Sequence, residues 1–170
     1  MKFFNSGIRL EWITKERLAK LRDGLEPALR ESFAGSAFLN DQCNVDIVVR
    51  ESLDEPPLQA MDEIVHIIAF DGENRIVGGL FDIPTRNFSG AEATDTGWFF
   101  TVPWLVRDLR RPLADHIWEM ALGQMKRAGF KLFRTTIGTL RGECYLEKVL
   151  GLSSTGELDE DGRKVWMKIL

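Results

Sequence analysis

Three arginines, Arg107, Arg110 and Arg111, stand between a short apolar stretch and a long amphipathic one. Guanidinium groups form strong, charge-assisted hydrogen bonds with phosphate. The start of a helix adds unpaired backbone N–H groups and partial positive charge. The pattern therefore predicts a site for a phosphate-bearing anion at a helix start. In the alternative interpretation the arginines form a solvated turn and pair with Asp108 and Asp115, because surface charge clusters commonly carry no function.

The residues on either side of the arginines predict the elements that hold this site. The preceding segment "TGWFFTV" is apolar and aromatic, which is typical of a β-strand. From Pro112 to Ala128 the apolar residues recur at helical spacing. Pro112 suits the first turn of this helix and Gly129 suits its end. The anion site is therefore predicted to lie between a strand and a long helix.

The N-terminal region is predicted to form a strand followed by helix. The segment Ile8–Ile13 alternates as a short strand does, and Thr14 is placed to cap a helix that runs to Phe33. Pro27 interrupts the helical pattern, because proline lacks an N–H and clashes with the preceding turn. We expect a kink, or two short helices that meet near Glu26.

Further strands are predicted along the rest of the chain. Asn44–Arg50 is interpreted as a strand, and the polar stretch 51–63 after it as a mobile loop. Ile64–Phe70 and Arg75–Pro84 flank an Asp-Gly turn and predict a hairpin. After the long helix come a strand over Lys131–Ile137, a short helix that ends at Gly151 and a closing hairpin. This order predicts an α+β (mixed α/β) fold: a mostly antiparallel sheet flanked by helices, with one parallel pair formed by the strands around the long helix.

The composition excludes several classes of protein. A chain of 170 residues with 44% hydrophobic residues is expected to form one domain, residues 1–170. Its formal net charge of -4 gives no basic field for nucleic acid or membrane surfaces. The two cysteines, Cys43 and Cys144, suggest neither a disulfide framework nor a zinc site, and no other metal motif occurs. Because neither a signal peptide nor a membrane span is evident, we expect a soluble, cytoplasmic protein.

Four local patterns resemble one known superfamily. They are "DGENRIVGGLFDI", then "FFTVP" leading into the arginines, then "KRAGFKLFRTTI", and finally "YLEKVLGLSSTGELDEDGRKVWMKIL". Together these patterns, which span about Ile64 to Leu170, resemble the GNAT (Gcn5-related N-acetyltransferase) superfamily. The resemblance implies a GNAT-like fold, acetyl-coenzyme A as cofactor, and acetyl transfer to an amine of a small molecule or a protein.

The resemblance also implies where the cofactor binds. In the family, an Arg-x-x-Gly-x-Gly turn at the start of the long helix holds the pyrophosphate on backbone N–H groups. Arg107 matches the family's arginine, whereas Arg110 and Pro112 occupy the glycine positions, and Pro112 has no N–H to offer. Arginine side chains could replace the missing backbone contacts. The implied cofactor-binding residues are Phe100, Thr101, Val102, Arg107, Arg110, Arg111 and Leu113.

The catalytic residues implied by the resemblance are a base and an acid. An acidic residue near the strand before the cofactor loop takes the amine proton, which points to Asp95 or Glu92. A tyrosine on the last helix protonates the leaving thiolate, and Tyr145 is the single tyrosine, although the family spacing falls on Glu147. For each carboxylate, a solvated loop residue is the alternative interpretation. His66 lies in an apolar run and is expected to be a hydrogen-bonded core histidine.

A second function remains open from the sequence. The loop without glycines also resembles the degenerate acetyltransferase-like proteins of tailed bacteriophages, which are internal-virion or head-assembly components. On that interpretation the chain is a catalytically inactive structural protein with the GNAT fold. It would bind a protein partner or form homo-oligomers. Fold does not decide between the two, because one fold hosts active and inactive members.

Overall fold

The computed structural model describes residues 2–3, 7–34, 44–54, 63–137, 140–160 and 162–170. The elements alternate between strands and helices along the chain. The strands are β1 Lys2–Phe3, β2 Arg9–Ile13, β3 Ile64–Phe70, β4 Ile76–Pro84, β5 Ala93–Thr94, β6 Phe99–Thr101, β7 Leu132–Ile137, β8 Ser153–Leu158 and β9 Lys164–Ile169. The helices are α1 Lys15–Lys20, α2 Arg22–Phe33, α3 Val45–Leu53, α4 Arg107–Arg127 and α5 Leu140–Lys148.

The strands form two sheets. One has the order β1-β2-β3-β4-β6 and is antiparallel throughout. The other has the order β5-β7-β9-β8 and contains the one parallel pair of the described strands, β5 with β7. Helix α2 packs on α3, β4 and β6, and α4 packs on β4. The predicted α+β class with a single parallel pair is confirmed, as are both predicted hairpins.

The partner in the parallel pair differs from the prediction. We expected the strands on either side of the long helix, β6 and β7, to pair with each other. Instead β6 pairs with β4, and the two-residue strand β5 pairs with Leu132 and Phe133 of β7. The chain between β5 and β6 passes from one sheet to the other, which a pattern of apolar residues does not reveal.

The predicted strand at Asn44–Arg50 is wrong, because this segment begins helix α3. The side chain of Asn44 accepts a hydrogen bond from the N–H of Ile47 at 3.1 Å and caps the helix. Val48, Val49 and Ser52 are buried, which is one helical face. Packing against α2 outweighs the strand preference of valine and isoleucine. Most of the predicted loop at 51–63 lies outside the described residues.

Two helix boundaries also differ from the predictions. The break in the first helical region falls at Leu21, and Pro27 lies inside α2. Pro27 is exposed, so water can reach the carbonyl that it leaves unbonded. Helix α4 begins at Arg107, five residues before the predicted start, so Pro112 is not in its first turn. Gly129 follows the helix with φ +98°, as its predicted role requires.

Candidate functional site

The two sheets part between β5 and β6, so β6 and β7 belong to different sheets and do not pair with each other. β6 forms the edge of its sheet, and β5 covers β7 only at Leu132 and Phe133. Within the described chain, the facing edges of β6 and of the later half of β7 therefore have no strand partner. Trp118 of α4 packs against Phe99 of β6 and Phe133 of β7, with ring centroids 5.8 and 5.5 Å apart. We call the place where β6 and β7 lack a strand partner the inter-sheet gap; these strand edges can hydrogen-bond an extended ligand that carries amides.

Helix α4 starts at the end of β6 and offers unpaired donors there. The N–H groups of Leu109 and Arg110 both bond to the carbonyl of Val106, at 3.0 and 3.1 Å. Those of Arg107 and Asp108 have no backbone acceptor in the described residues. The start of this helix of 21 residues can thus bind an anion through N–H groups and partial positive charge.

The three arginines at this helix start behave differently. Arg110 turns back to the loop before the helix, where Nε donates to the carbonyl of Leu105 at 2.8 Å and Nη2 to that of Pro103 at 3.0 Å. Arg107 and Arg111 are exposed, and neither forms an ion pair within the described chain. The alternative pairing with Asp108 or Asp115 is therefore not found, and two of the three guanidinium groups are available to an anion.

Several other predicted cofactor residues point into the core. Phe100 is buried and stacks on Phe81 at 5.7 Å, and Leu113 is buried against β4. Val102 is buried, and its N–H bonds to the carbonyl of Val77 at 3.1 Å. Thr101 pairs with β4 and is half-buried. The buried side chains hold β6 and α4 together, so these residues can offer only backbone groups to a ligand.

Asp95 lies where the sheets part and is the stronger of the two predicted bases. Burial raises the pKa of its carboxyl to about 7, although the N–H of Thr96, the hydroxyl of Thr135 and the charge of Arg134 act against this. A carboxyl that titrates near neutral pH can both accept and release an amine proton. The raised pKa favours Asp95 over an ordinary solvated loop carboxylate as the predicted base.

Glu92 has a different environment. Its side chain is exposed and lies 3.7 Å from the Nζ of Lys131. Its backbone carbonyl accepts the N–H groups of Lys131 and Leu132, at 2.9 and 3.1 Å, where β7 begins. These contacts favour the alternative interpretation of Glu92 as a solvated loop residue.

Tyr145 extends from α5 to α4. Its hydroxyl donates to Oδ1 of Asp115 at 3.2 Å. Burial raises the pKa of Tyr145 above its ordinary value, and the charge and hydrogen bond of Asp115 add to this, while Arg111 acts in the opposite direction. The structure therefore brings the predicted acid to Asp115, one helical turn after Arg111 on α4, and the hydroxyl keeps its proton at neutral pH.

The contact between Tyr145 and Asp115 predicts a spectroscopic result. Because the chain has one tyrosine, its ionisation can be followed by ultraviolet absorbance without labelling. We expect Tyr145 to ionise well above the usual pKa of about 10. Asp115→Asn should lower that pKa, because it removes a nearby negative charge. Asp108→Asn, an exposed acid on the same helix, is the control; equal titrations of all three proteins would contradict the contact.

A buried polar pair, His66 and Asp82, was not predicted as a site. The N–H of Asp82 donates to Nδ1 of His66 at 3.2 Å, and both side chains are buried. Burial raises the pKa of Asp82 to about 7, with a further contribution from Glu51, and lowers that of His66 to about 4. The predicted hydrogen-bonded core histidine is confirmed. A signal for Asp82 was present in the sequence: it is a charged residue within the apolar run "VGGLFDIP".

The fold is that of the GNAT acetyltransferases, which solved structures share over almost the whole chain. The PaiA N-acetyltransferase from Thermoplasma acidophilum in complex with coenzyme A has 16% sequence identity and a TM-score of 0.64, covering 96% of this chain and 99% of that one. The aminoglycoside 6'-acetyltransferase type Ii has 13% identity and a TM-score of 0.65, covering 95% and 96%. A spermidine N-acetyltransferase from Vibrio cholerae has 12% identity and a TM-score of 0.53, covering 97% and 95%.

Other comparisons add no closer relationship. No protein-family model matches the sequence, and no curated protein matches it. Within the described residues, no helix is both long and apolar enough to cross a membrane. The same residues contain no group of three or more His, Cys, Asp or Glu side chains able to hold a metal ion.

Proposed function

We propose that this protein is a coenzyme A-dependent N-acyltransferase that transfers an acetyl group to an amine. The observation that carries the proposal is the inter-sheet gap with its free strand edges, which leads to a helix start with unpaired N–H groups. Arg107 and Arg111 fit the phosphates of the cofactor because they are exposed and unpaired within the described chain. The fold shared with acetyltransferases that bind coenzyme A supports the same activity.

The chemistry divides between Asp95 and Tyr145. Acetyl-coenzyme A would supply the acetyl group as a thioester. Asp95 would take a proton from the ammonium form of the acceptor, and the resulting neutral amine would form the new C–N bond as the C–S bond breaks. The nitrogen would then release its second proton to water. Tyr145 would give its hydroxyl proton to the departing sulfur, and to do so the O–H must turn away from Oδ1 of Asp115, which accepts it in this structure. Asp95 would then release its proton to solvent, and Tyr145 would take one up from solvent.

Thermal unfolding with acetyl-coenzyme A tests the cofactor site. A ligand that binds only the folded protein stabilises it by about 2.7 kcal/mol at a hundred times its dissociation constant, so the melting temperature should rise. Arg107→Ala and Arg111→Ala should each weaken binding about tenfold, which is the loss of one charge-assisted contact. Arg127→Ala, at the other end of α4, is the matched control. Unchanged affinity in both test variants would contradict the role of the arginines.

The catalytically inactive interpretation rests on Arg110. It occupies a glycine position of the family turn, and its guanidinium is held by the loop carbonyls of Pro103 and Leu105. If millimolar acetyl-coenzyme A leaves the melting temperature of the wild-type protein unchanged, the acyltransferase proposal fails. Light scattering and capture of partners from the native source then become the tests of a structural protein.

A further inference from the structure

Asp82 is held in a conformation that costs stability. Val65 pairs with Ile83 and Ile67 pairs with Leu80, so His66 lies opposite two residues of β4. This is a β-bulge, a feature that redirects side chains and is frequent next to active sites. Asp82 takes φ +52° there, in the left-handed region that side chains rarely adopt. The bulge points the carboxyl of Asp82 away from the regular strand pattern.

A glycine, Gly97, leaves space for the carboxyl of Asp82 beside the inter-sheet gap. A Cβ on Gly97 would lie 2.5 Å from Oδ2 of Asp82, so only glycine fits. Gly97 lies in the segment where the two sheets part, two residues after Asp95. Asp82 therefore touches the backbone at the point where the proposed reaction takes place.

The carboxyl of Asp82 lacks the partners that buried charges normally have. Neither of its oxygens has a hydrogen-bond partner in the described chain, and no lysine or arginine there pairs with it. His66 cannot serve as the cation, because its Nδ1 accepts the N–H of Asp82 and burial keeps the ring neutral. The hydroxyl of Ser52, the residue after Glu51 in α3, is also buried without a partner in the described residues. Buried polar groups of this kind call for a ligand, water or ion that donates hydrogen bonds.

A second acid connects Asp82 to the protein surface. Glu51 of α3 is half-buried and close enough to raise the pKa of Asp82. Oε2 of Glu51 accepts the Nε1 hydrogen of Trp98 at 2.9 Å, and Phe33 packs edge-on against the same indole at 5.6 Å. Trp98 is itself half-buried, so a fixed aromatic ring stands beside the carboxyl of Glu51 and directly follows Gly97, the residue that Asp82 contacts. Carboxylates next to an aromatic ring are suited to a substituted ammonium ion.

From this arrangement we infer that Glu51, Trp98 and Asp82 form an acceptor subsite for a cationic amine. The inference rests on the proposed acyltransferase function and specifies its substrate class: an amine that carries a second positive charge besides the group that is acylated. The subsite binds this second ammonium, while the reacting amine lies near Asp95. The cost of keeping Asp82 buried and unpaired is then balanced by recognition of substrate charge.

Calorimetric titration tests the subsite without measuring catalysis. The probe is 1,4-diaminobutane, titrated with and without saturating coenzyme A, and the uncharged control ligand is 1,4-butanediol. We expect saturable binding of the diamine alone. Glu51→Gln and Asp82→Asn should each weaken it about tenfold, because each removes one charge-assisted contact.

The chain offers a matched control for Glu51. Glu31 also accepts the indole N–H of a tryptophan, Trp104, at 3.2 Å, but a buried aspartate is not part of that contact. Glu31→Gln should leave diamine binding unchanged. Equal binding by Glu51→Gln, Asp82→Asn and wild type would overturn the subsite. Absence of diamine binding while acetyl-coenzyme A still raises the melting temperature would overturn it too, and would leave the acyltransferase proposal intact.

Discussion

Asp82→Asn is expected to raise the free energy of unfolding at pH 8 by on the order of 3 kcal/mol. Burial raises the pKa of Asp82 to about 7 in the folded protein, from its ordinary value of 3.8. The folded state thus holds a proton that the unfolded state has lost, and stability falls as the pH rises from about 4 to 7. Asparagine is neutral at all these pH values and also tolerates the left-handed φ.

Urea unfolding at pH 4 and pH 8 measures this effect. The gain from Asp82→Asn should be small at pH 4, where the folded wild type is protonated at this position and the unfolded state is about half protonated, and large at pH 8. The contribution of His66 to stability depends on pH in the opposite direction. Its pKa is lowered to about 4 in the folded protein, so the free energy of unfolding decreases as the pH falls below 6.5. Comparison of variant and wild type at each pH cancels that contribution. A variant that is less stable than wild type at pH 8 would show that the Asp82 carboxylate has a partner in solution.

Gly79→Ala is expected to lower the free energy of unfolding by about 3 kcal/mol. A Cβ at this position would lie 2.7 Å from the carbonyl oxygen of Ile67 and 2.9 Å from atoms of Ile68 and Phe100. The carbonyl belongs to the neighbouring strand β3 and cannot move without breaking the sheet. The clash must therefore be relieved by separating β3, β4 and β6.

Denaturant unfolding of Gly79→Ala checks this result, with Gly123→Ala as the matched control. Gly123 lies within α4, and a Cβ there would meet only the end of the Arg127 side chain, at 3.5 Å. Alanine is about 1 kcal/mol more favourable than glycine inside a helix, so this control should be stabilised. Gly79→Ala with wild-type stability would mean that the sheet tolerates a wider strand spacing here.

The elements that were predicted correctly are those whose signals are local. The hairpin of β3 and β4 follows from an Asp-Gly turn between apolar runs, and α4 follows from apolar residues at helical spacing. Helix α3 was mistaken for a strand because the β-branched residues of Asn44–Arg50 favour strands, whereas its burial depends on α2. The start of α4 was placed late because Arg107–Arg111 carry no cap signal, and Val106 makes no side-chain cap bond.

In the candidate site, too, local sequence signals identified some residues, while tertiary contacts decided their environment. The arginines and Asp95 could be selected from their type and position, but their availability could not. Arg110 is committed to loop carbonyls, and Phe100 and Leu113 face the core, although all three fall within the motif. Asp82 was overlooked because its importance comes from a bulge in β4 that pairing with β3 produces.

The sequence by itself determined the fold class and the position of the arginine segment before the long helix, because periodicity and charge are properties of neighbouring residues. Tertiary structure alone decided which charges are free, which are buried and where the two sheets part. Desolvation and hydrogen-bond partners depend on residues far apart in the chain, and Glu51, Asp82 and Trp98 come from three separate elements of it. The raised pKa values of Asp82 and Asp95 therefore belong to the folded protein and to no local pattern.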